Sequence, residues 1–216
     1  MIDNLEAVIW DFGGVLTSSP FEAFNRYEAE HGLPENFIRG VNAVNGDTNA
    51  WARLERSELD ADGFDTAFRD ESAARGHAVR GKDVLALLSG DLRPGVVRAL
   101  TVCKQRVRVG CITNNAPTGR GAGMSQDAAK AEKVAEILSL FEHVLESSKI
   151  GLRKPDPRIY ALMCEALKVD PGRCIYIDDL GINLKPARAM GMHTIKVLNE
   201  FQLLEDLRAA TGFTGF

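Results

Sequence analysis

Asp11 closes the apolar run Ala7-Val8-Ile9-Trp10 and is followed by Phe12-Gly13-Gly14-Val15-Leu16. A short buried-type strand that ends on an acid and then turns through glycines presents a carboxylate at its C-terminal tip. In a parallel sheet that tip is where ligands bind. Other segments fall at or near predicted strand ends: Thr113-Asn114-Asn115, Lys154 within Gly151-Leu152-Arg153-Lys154-Pro155-Asp156-Pro157, and the pair Asp178-Asp179. Together they bring carboxylates, a hydroxyl, an amide and an ammonium to one edge. Hard oxygen ligands around an open site suit Mg2+, which takes one or two carboxylates and completes its shell with water and phosphate oxygens. A hydroxyl, backbone N–H groups and a lysine would hold the remaining phosphate charge. A carboxylate facing a metal-bound phosphate is a competent nucleophile.

Each segment also has a plainer local reading. An acid before Gly-Gly is a common turn residue. Thr113-Asn114 and Asp178-Asp179 could cap helices, and Lys-Pro-Asp-Pro could be a turn that opens a helix, with Pro157 near its first position. Their order and shared strand-end placement favour the joint reading.

The elements that must position these groups follow from hydrophobic periodicity. Strands are predicted over 6–11, 106–112, 174–178 and 193–197, with a short fifth around 143–145. The segment 174–177 is continuously apolar, as befits a strand covered on both faces. Ile159, Leu162, Met163, Ala166 and Leu167 follow one helix face, as do Val134, Ile137, Leu138 and Phe141. Asn199 and Gln202 form a capping-box-like start for a last helix through 210. Strands alternating with such helices argue for an α/β, Rossmann-like parallel sheet. The stretch from 18 to about 91 breaks the alternation with helical pieces at 20–31, 35–44, 49–56, 60–75 and 82–89. The expected organisation is a discontinuous α/β core, 1–16 and 92–216, with an inserted all-helical cap, 17–91, over the strand tips.

A chain of 216 residues, 45% hydrophobic and 26% charged, can bury a full core. Its net charge of −4 gives no footprint for nucleic acid or an anionic membrane. The charge is uneven: residues 17–91 hold 8 Lys/Arg against 14 Asp/Glu, and the remainder holds 18 against 16. The segments with the candidate site are therefore the positive ones, which suits an anionic ligand. No apolar run reaches the roughly 18–20 residues of a membrane span, and the N-terminus lacks a basic-then-apolar export signal. Cys103, Cys111, Cys164 and Cys174 show no CxxC spacing and read as reduced core cysteines of a cytoplasmic protein. The scattered histidines form no zinc-type cluster.

Over nearly its whole length the sequence resembles the haloacid dehalogenase (HAD) superfamily with a helical cap after the first strand. Asp-Phe-Gly-Gly-Val-Leu, Thr-Asn-Asn, Gly-Leu-Arg-Lys-Pro-Asp-Pro and Asp-Asp-Leu-Gly-Ile-Asn-Leu-Lys-Pro-Ala-Arg most resemble one branch. That branch includes the N-terminal phosphatase domain of soluble epoxide hydrolase and the HAD-like domain joined to some acyl-CoA dehydrogenases. The resemblance implies that Asp11 is the nucleophile, forms an aspartyl-phosphate and also binds Mg2+. It implies the Gly13 carbonyl as a second metal ligand, Asp179 as a direct ligand and Asp178 as one acting through water. Thr113 and Asn114 would hold phosphate oxygens, Lys154 would neutralise both phosphate and Asp11, and Asn183 would orient the last loop.

The sequence departs from this pattern at Gly13, where the phosphatases of the superfamily usually carry a second aspartate as general acid and base. Such groups are typically worth about 10²–10⁴ in rate, so a slow phosphatase is expected. A replacement acid could come from the cap or from Thr17-Ser18-Ser19, with Glu22 the nearest carboxylate in sequence. The alternative is a weakly active or inactive domain that binds a phosphorylated ligand or a partner. Metal-free haloacid dehalogenation is disfavoured by Asp178-Asp179. Phosphonate cleavage through a cap lysine is disfavoured because Lys82, the only lysine between 17 and 91, comes too late. The glycine-rich stretch 117–124 lacks a phosphate-loop pattern and reads as an entrance loop or interface element. Trp51 reads as cap core, although it and Arg53 could reach a substrate. A helical cap favours small phosphorylated metabolites over macromolecules, and the chain is expected to be a monomer or homodimer.

Overall fold

The computed structural model describes residues 2, 4–116, 123–125 and 127–216. Residues 117–122 of the glycine-rich stretch lie outside them. Five strands, β1 (Ala7–Trp10), β2 (Arg108–Thr113), β3 (His143–Glu146), β4 (Cys174–Asp178) and β5 (His193–Lys196), form one sheet in the order β3-β2-β1-β4-β5. Every pairing is parallel. This is the α/β, Rossmann-like arrangement expected. The chain moves outward from β1 to β2 and β3, then crosses back to β4 and β5. The strand order therefore reverses beside β1, and a crevice opens there at the C-terminal edge. Trp10 pairs with Cys111 on one side and Ile177 on the other. The residues after these three, Asp11, Ile112 and Asp178, consequently sit side by side.

Side chains alternate across the sheet, and both faces are covered by helices, as a parallel sheet requires. Val8, Trp10, Val109, Cys111, Ile175 and Ile177 pack against α6 (Pro94–Lys104), α7 (Ala128–Leu138) and α11 (Glu200–Thr211). Ala7, Ile9, Ile112, Cys174 and Tyr176 pack on α9 (Pro157–Leu167) and α10 (Gly181–Ala189). Pro94 and Pro157 open their helices from the first turn, where no N–H is missed. Asn199 caps α11 by accepting from Gln202 N at 2.9 Å. The Gln202 side chain does not return to Asn199 as a capping box would; it accepts from Leu198 N at 2.8 Å. A four-residue helix, α8 (Ser147–Ile150), follows β3.

Between β1 and α6 lie only helices: α1 (Pro20–Glu30), α2 (Phe37–Ala43), α3 (Ala50–Glu55), α4 (Ala61–Ala73) and α5 (Gly81–Ala86). Ser19, Asn49 and Asp60 cap α1, α3 and α4 with their side chains. These helices bury an apolar cluster of their own around Phe24, Ile38, Leu54, Phe64, Phe68 and Val84. Trp51 is part of that packing, edge-on to Phe24 and Phe64, whereas Arg53 is exposed. The segment leaves and re-enters the sheet region at one place, the antiparallel bridge between Thr17 and Leu92. Ser18 N donates to Asp91 O at 2.7 Å and Arg93 N to Leu16 O at 2.9 Å, which ties the two crossings together. No helix among the described residues is long and apolar enough to cross a membrane.

Candidate active site

Asp11 lies directly beyond β1, Asp178 ends β4, and both project to the α9–α10 face. Lys154, from the loop before α9, bridges them: its Nζ is 2.7 Å from Asp11 Oδ1 and 2.8 Å from Asp178 Oδ2. All three are buried, Lys154 to 1% exposure. Burial alone would lower the lysine pKa, but the two carboxylates outweigh it and hold Lys154 protonated. Asp11 Oδ1 also accepts from Phe12 N at 2.7 Å. Oδ1 thus faces Phe12 N and Lys154 Nζ, and among the described residues no donor reaches Oδ2.

Asp178 is saturated. Its oxygens accept from Lys154 Nζ, from the Tyr176 hydroxyl at 2.6 Å, from Leu180 N at 2.8 Å and from Asn183 Nδ2 at 3.1 Å. Tyr176 lies two residues earlier on the same strand face, so pleating alone aims its hydroxyl at Asp178. Burial and Asp178 raise the Tyr176 pKa well above its ordinary value, which keeps it a proton donor. Asn183, near the start of α10, ties that helix to this carboxylate.

Asp179 sits against the turn after β1. At Gly14, where φ is +76°, a Cβ would lie 2.2 Å from Asp179 Oδ2. The second glycine of the pair is therefore what lets Asp179 approach. Arg93 braces the turn by donating to Gly14 O at 2.9 Å. At Gly13 a Cβ would meet nothing within 4 Å. The Gly13 carbonyl accepts no hydrogen bond from the described residues.

Thr113, at the end of β2, is 3% exposed and adjoins a cavity of about 30 Å³ that also touches Phe12, Gly13, Thr17, Ser89 and Asn114. Asn114 takes an unexpected part. Its Oδ1 accepts from Lys154 N at 2.8 Å, and its Nδ2 donates to Lys154 O at 3.0 Å and Glu55 Oε2 at 3.3 Å. The side chain clamps the lysine loop, which leaves the Asn114 main-chain N–H as the donor at that position. The N–H groups of Gly13 and Asn114 bond no described residue. Sequence reading missed Glu55, which is 6% exposed and comes from α3. A usable signal existed in the i, i+4 pair Trp51–Glu55, because that spacing puts the carboxylate on the helix's buried face. Glu22, by contrast, is exposed.

Asp11, Asp178 and Asp179 offer carboxylate oxygens that all lie within 4.8 Å of one another. Among the described residues only Lys154 balances them in direct contact, so the fully ionised cluster is negative. Burial raises Asp11 well above the usual carboxylate range, with Asp178 and Asp179 adding to it and Lys154 opposing. Burial and Asp178 push Asp179 up to about 6. An oxygen-only cluster with surplus negative charge and a free carbonyl fits Mg2+. Burial pushes the Cys103 thiol up to about 12, which unsuits it as a competing nucleophile.

The haloacid dehalogenase-like hydrolase family matches residues 5–191 of the chain. Mouse "Acyl-CoA dehydrogenase family member 10" is 30% identical over 216 residues, 97% of this chain and 19% of that protein. Pig "Bifunctional epoxide hydrolase 2" is 28% identical over 220 residues, 96% of this chain and 39% of that protein. The chain spans well under half the length of these two relatives. "Phosphatase MT3486" of Mycobacterium tuberculosis is 32% identical over 208 residues, covering 90% of this chain and 88% of its own. Among solved structures, a HAD family enzyme of Bacteroides thetaiotaomicron in complex with magnesium and inorganic phosphate superposes with a TM-score of 0.57 at 19% identity, covering 89% and 93% of the two chains. L-2-haloacid dehalogenase from Xanthobacter autotrophicus does so with a TM-score of 0.60 at 19% identity, covering 96% and 84%. At such identity these neighbours speak to the fold alone. Sheet order, the strand-tip acids with their lysine and a family match spanning most of the sequence agree: the chain belongs to the haloacid dehalogenase-like hydrolases.

Proposed function

We propose that this protein is a magnesium-dependent phosphatase acting on a small phosphorylated metabolite, with 17–91 as its cap. The observation that carries the reading is Asp11, whose Oδ1 is fixed by Phe12 N and Lys154 Nζ while Oδ2 is left free to attack. The similarity to a phosphatase of M. tuberculosis along 88% of its length supports it. Asp179, the Gly13 carbonyl and the Asp11 oxygen that does not attack would hold Mg2+, with Asp178 behind them fixing Lys154. The ion would supply charge neutralisation to the phosphoryl oxygens.

Asp11 Oδ2 attacks phosphorus, the bond from phosphorus to the alcohol oxygen breaks, and an aspartyl-phosphate forms. Thr113, the N–H groups of Gly13 and Asn114, and Lys154 stabilise the phosphoryl oxygens. The departing alkoxide takes its proton from water. No carboxylate lines the cavity beside Gly13 among the described residues, and Glu55 is engaged by Arg153 Nε at 2.6 Å. Water then attacks phosphorus and gives up a proton to the hydroxide left by the alkoxide's protonation, the bond from phosphorus to Asp11 breaks, and phosphate leaves. Free buried thiols suit a reducing, cytoplasmic setting, and nothing in the charge suits nucleic acid.

The carboxylate-free cavity also favours a second reading, a domain that binds a phosphorylated ligand with little turnover. Hydrolysis of p-nitrophenyl phosphate and a panel of phosphate esters, with and without Mg2+, compared with Asp11→Asn, separates the two. Magnesium-dependent hydrolysis lost in Asp11→Asn is expected. Equal residual rates sink the phosphatase reading.

A further inference from the structure

The cavity against Gly13, Thr113 and Asn114 measures about 30 Å³. That is room for one or two waters, not for a phosphate ester. With Asp11 at 7% and Lys154 at 1% exposure, these two groups are covered among the described residues, and parting of the helical segment from the strand tips would uncover them. The contacts that must break are therefore part of the working cycle. On the side of the lysine loop they are polar. Glu55 Oε2 accepts from Arg153 Nε at 2.6 Å and from Asn114 Nδ2 at 3.3 Å. Arg153 Nη1 donates to Gly46 O at 2.9 Å, and Ser57 Oγ to Ser148 O at 2.6 Å. All but the last run through Glu55 or Arg153.

We propose that Glu55 is a positioning residue that latches the cap to the loop carrying Lys154, so that closure and lysine placement are one event. The connection is short. Glu55 touches Arg153, the residue before Lys154, and also Asn114, whose other hydrogen bonds grip the Lys154 main chain at N and O. With the cap lifted, Glu55 keeps only Trp51 Nε1, 2.9 Å from its Oε1 within α3, and Asn114 loses its third partner. The pair also has the energetics of a latch. Desolvating two charges nearly cancels their attraction, so Glu55 and Arg153 specify the closed geometry without making it irreversible.

The kinetic part rests on the phosphatase reading; the conformational part does not, because Trp51 reports on the latch directly. Trp10 is fully buried in the sheet, so acrylamide-quenchable emission belongs to Trp51. Quenching is measured on wild type, Glu55→Gln, Arg153→Met and the double variant, with Mg2+ and beryllium fluoride, alongside kcat and KM for p-nitrophenyl phosphate. Circular dichroism confirms folding, and Glu55→Gln keeps the side chain's shape if Arg153→Met proves unstable. Both single variants should raise the quenching constant alike and lower kcat about tenfold with KM little changed, the double variant adding nothing. Quenching unchanged from wild type, or single effects that multiply in the double variant, would overturn the latch. Wild type without any turnover but with the expected quenching pattern would refute the phosphatase reading and leave the latch standing.

Discussion

Replacing Gly14 with alanine puts a methyl group where Asp179 already is. The backbone there has φ of +76°, and the new Cβ would lie 2.2 Å from Asp179 Oδ2, 2.5 Å from Cγ and 3.0 Å from Oδ1. An L-residue in this conformation costs roughly 1–2 kcal/mol. Forcing a neighbour aside in a packed site costs about 1–3 kcal/mol more. Gly14→Ala should therefore lose about 2–5 kcal/mol. Asp179 is also the acid with the most to lose from being pushed away, since it is the carboxylate beside the turn. Gly13→Ala is the internal control: its Cβ meets nothing within 4 Å, and a surface-like change of this kind falls within about 0.5 kcal/mol. Urea denaturation of both variants, together with Mg2+ titration by calorimetry, reads the two effects separately. Gly14→Ala should show a lowered midpoint and weakened Mg2+ binding, and Gly13→Ala neither. Equal losses in the two variants, or Gly14→Ala binding Mg2+ like wild type, would refute the assignment of Gly14 to the Asp179 approach.

Three further outcomes follow from the same geometry. Asp179 is raised from 3.8 to about 6, so the folded protein binds the extra proton and metal-free stability falls as pH rises across that interval. Asp179→Asn should remove the fall, stabilising the metal-free protein above pH 6 by up to about 3 kcal/mol; a difference between variant and wild type that does not change between pH 4 and 7 would contradict this. Lys154→Met strands two buried carboxylates, which should cost about 3–5 kcal/mol in stability and about 10²–10³ in kcat, read by thermal melts and steady-state assay. Gly13→Asp has space for its side chain and should raise hydrolysis by up to about 10²–10⁴ by restoring a general acid; an unchanged rate would show that proton transfer does not limit turnover.

The strand ends were legible because their signal is local: an apolar run, a period of two, then an acid or hydroxyl at the tip. β2 starts at Arg108, two residues later than periodicity suggests, because Val107 N still closes the end of α6 on Cys103 O. The helices of 17–91 were legible as helical pieces between breakers such as Gly32-Leu33-Pro34 and Gly46-Asp47, whereas the caps Ser19, Asn49 and Asp60 came from the structure. The role of Asn114 was not. Its type and place suggest a phosphate contact, and only the folded loop shows its amide spent on Lys154, 40 residues away. Glu55 was harder still, since its partners Asn114 and Arg153 lie 59 and 98 residues distant.

By itself the sequence determined which groups stand at the tips of which strands, because side-chain alternation and strand termination are properties of a few consecutive residues. It also determined that Gly13 carries no acid. The tertiary structure decided how those groups divide the work: Lys154 bridging Asp11 and Asp178, Asp178 saturated by four donor groups, Asp179 admitted by Gly14, and Glu55 arriving from the helical segment. Hydrogen-bond saturation and steric admission depend on distances between residues far apart in the chain, and only packing sets those distances.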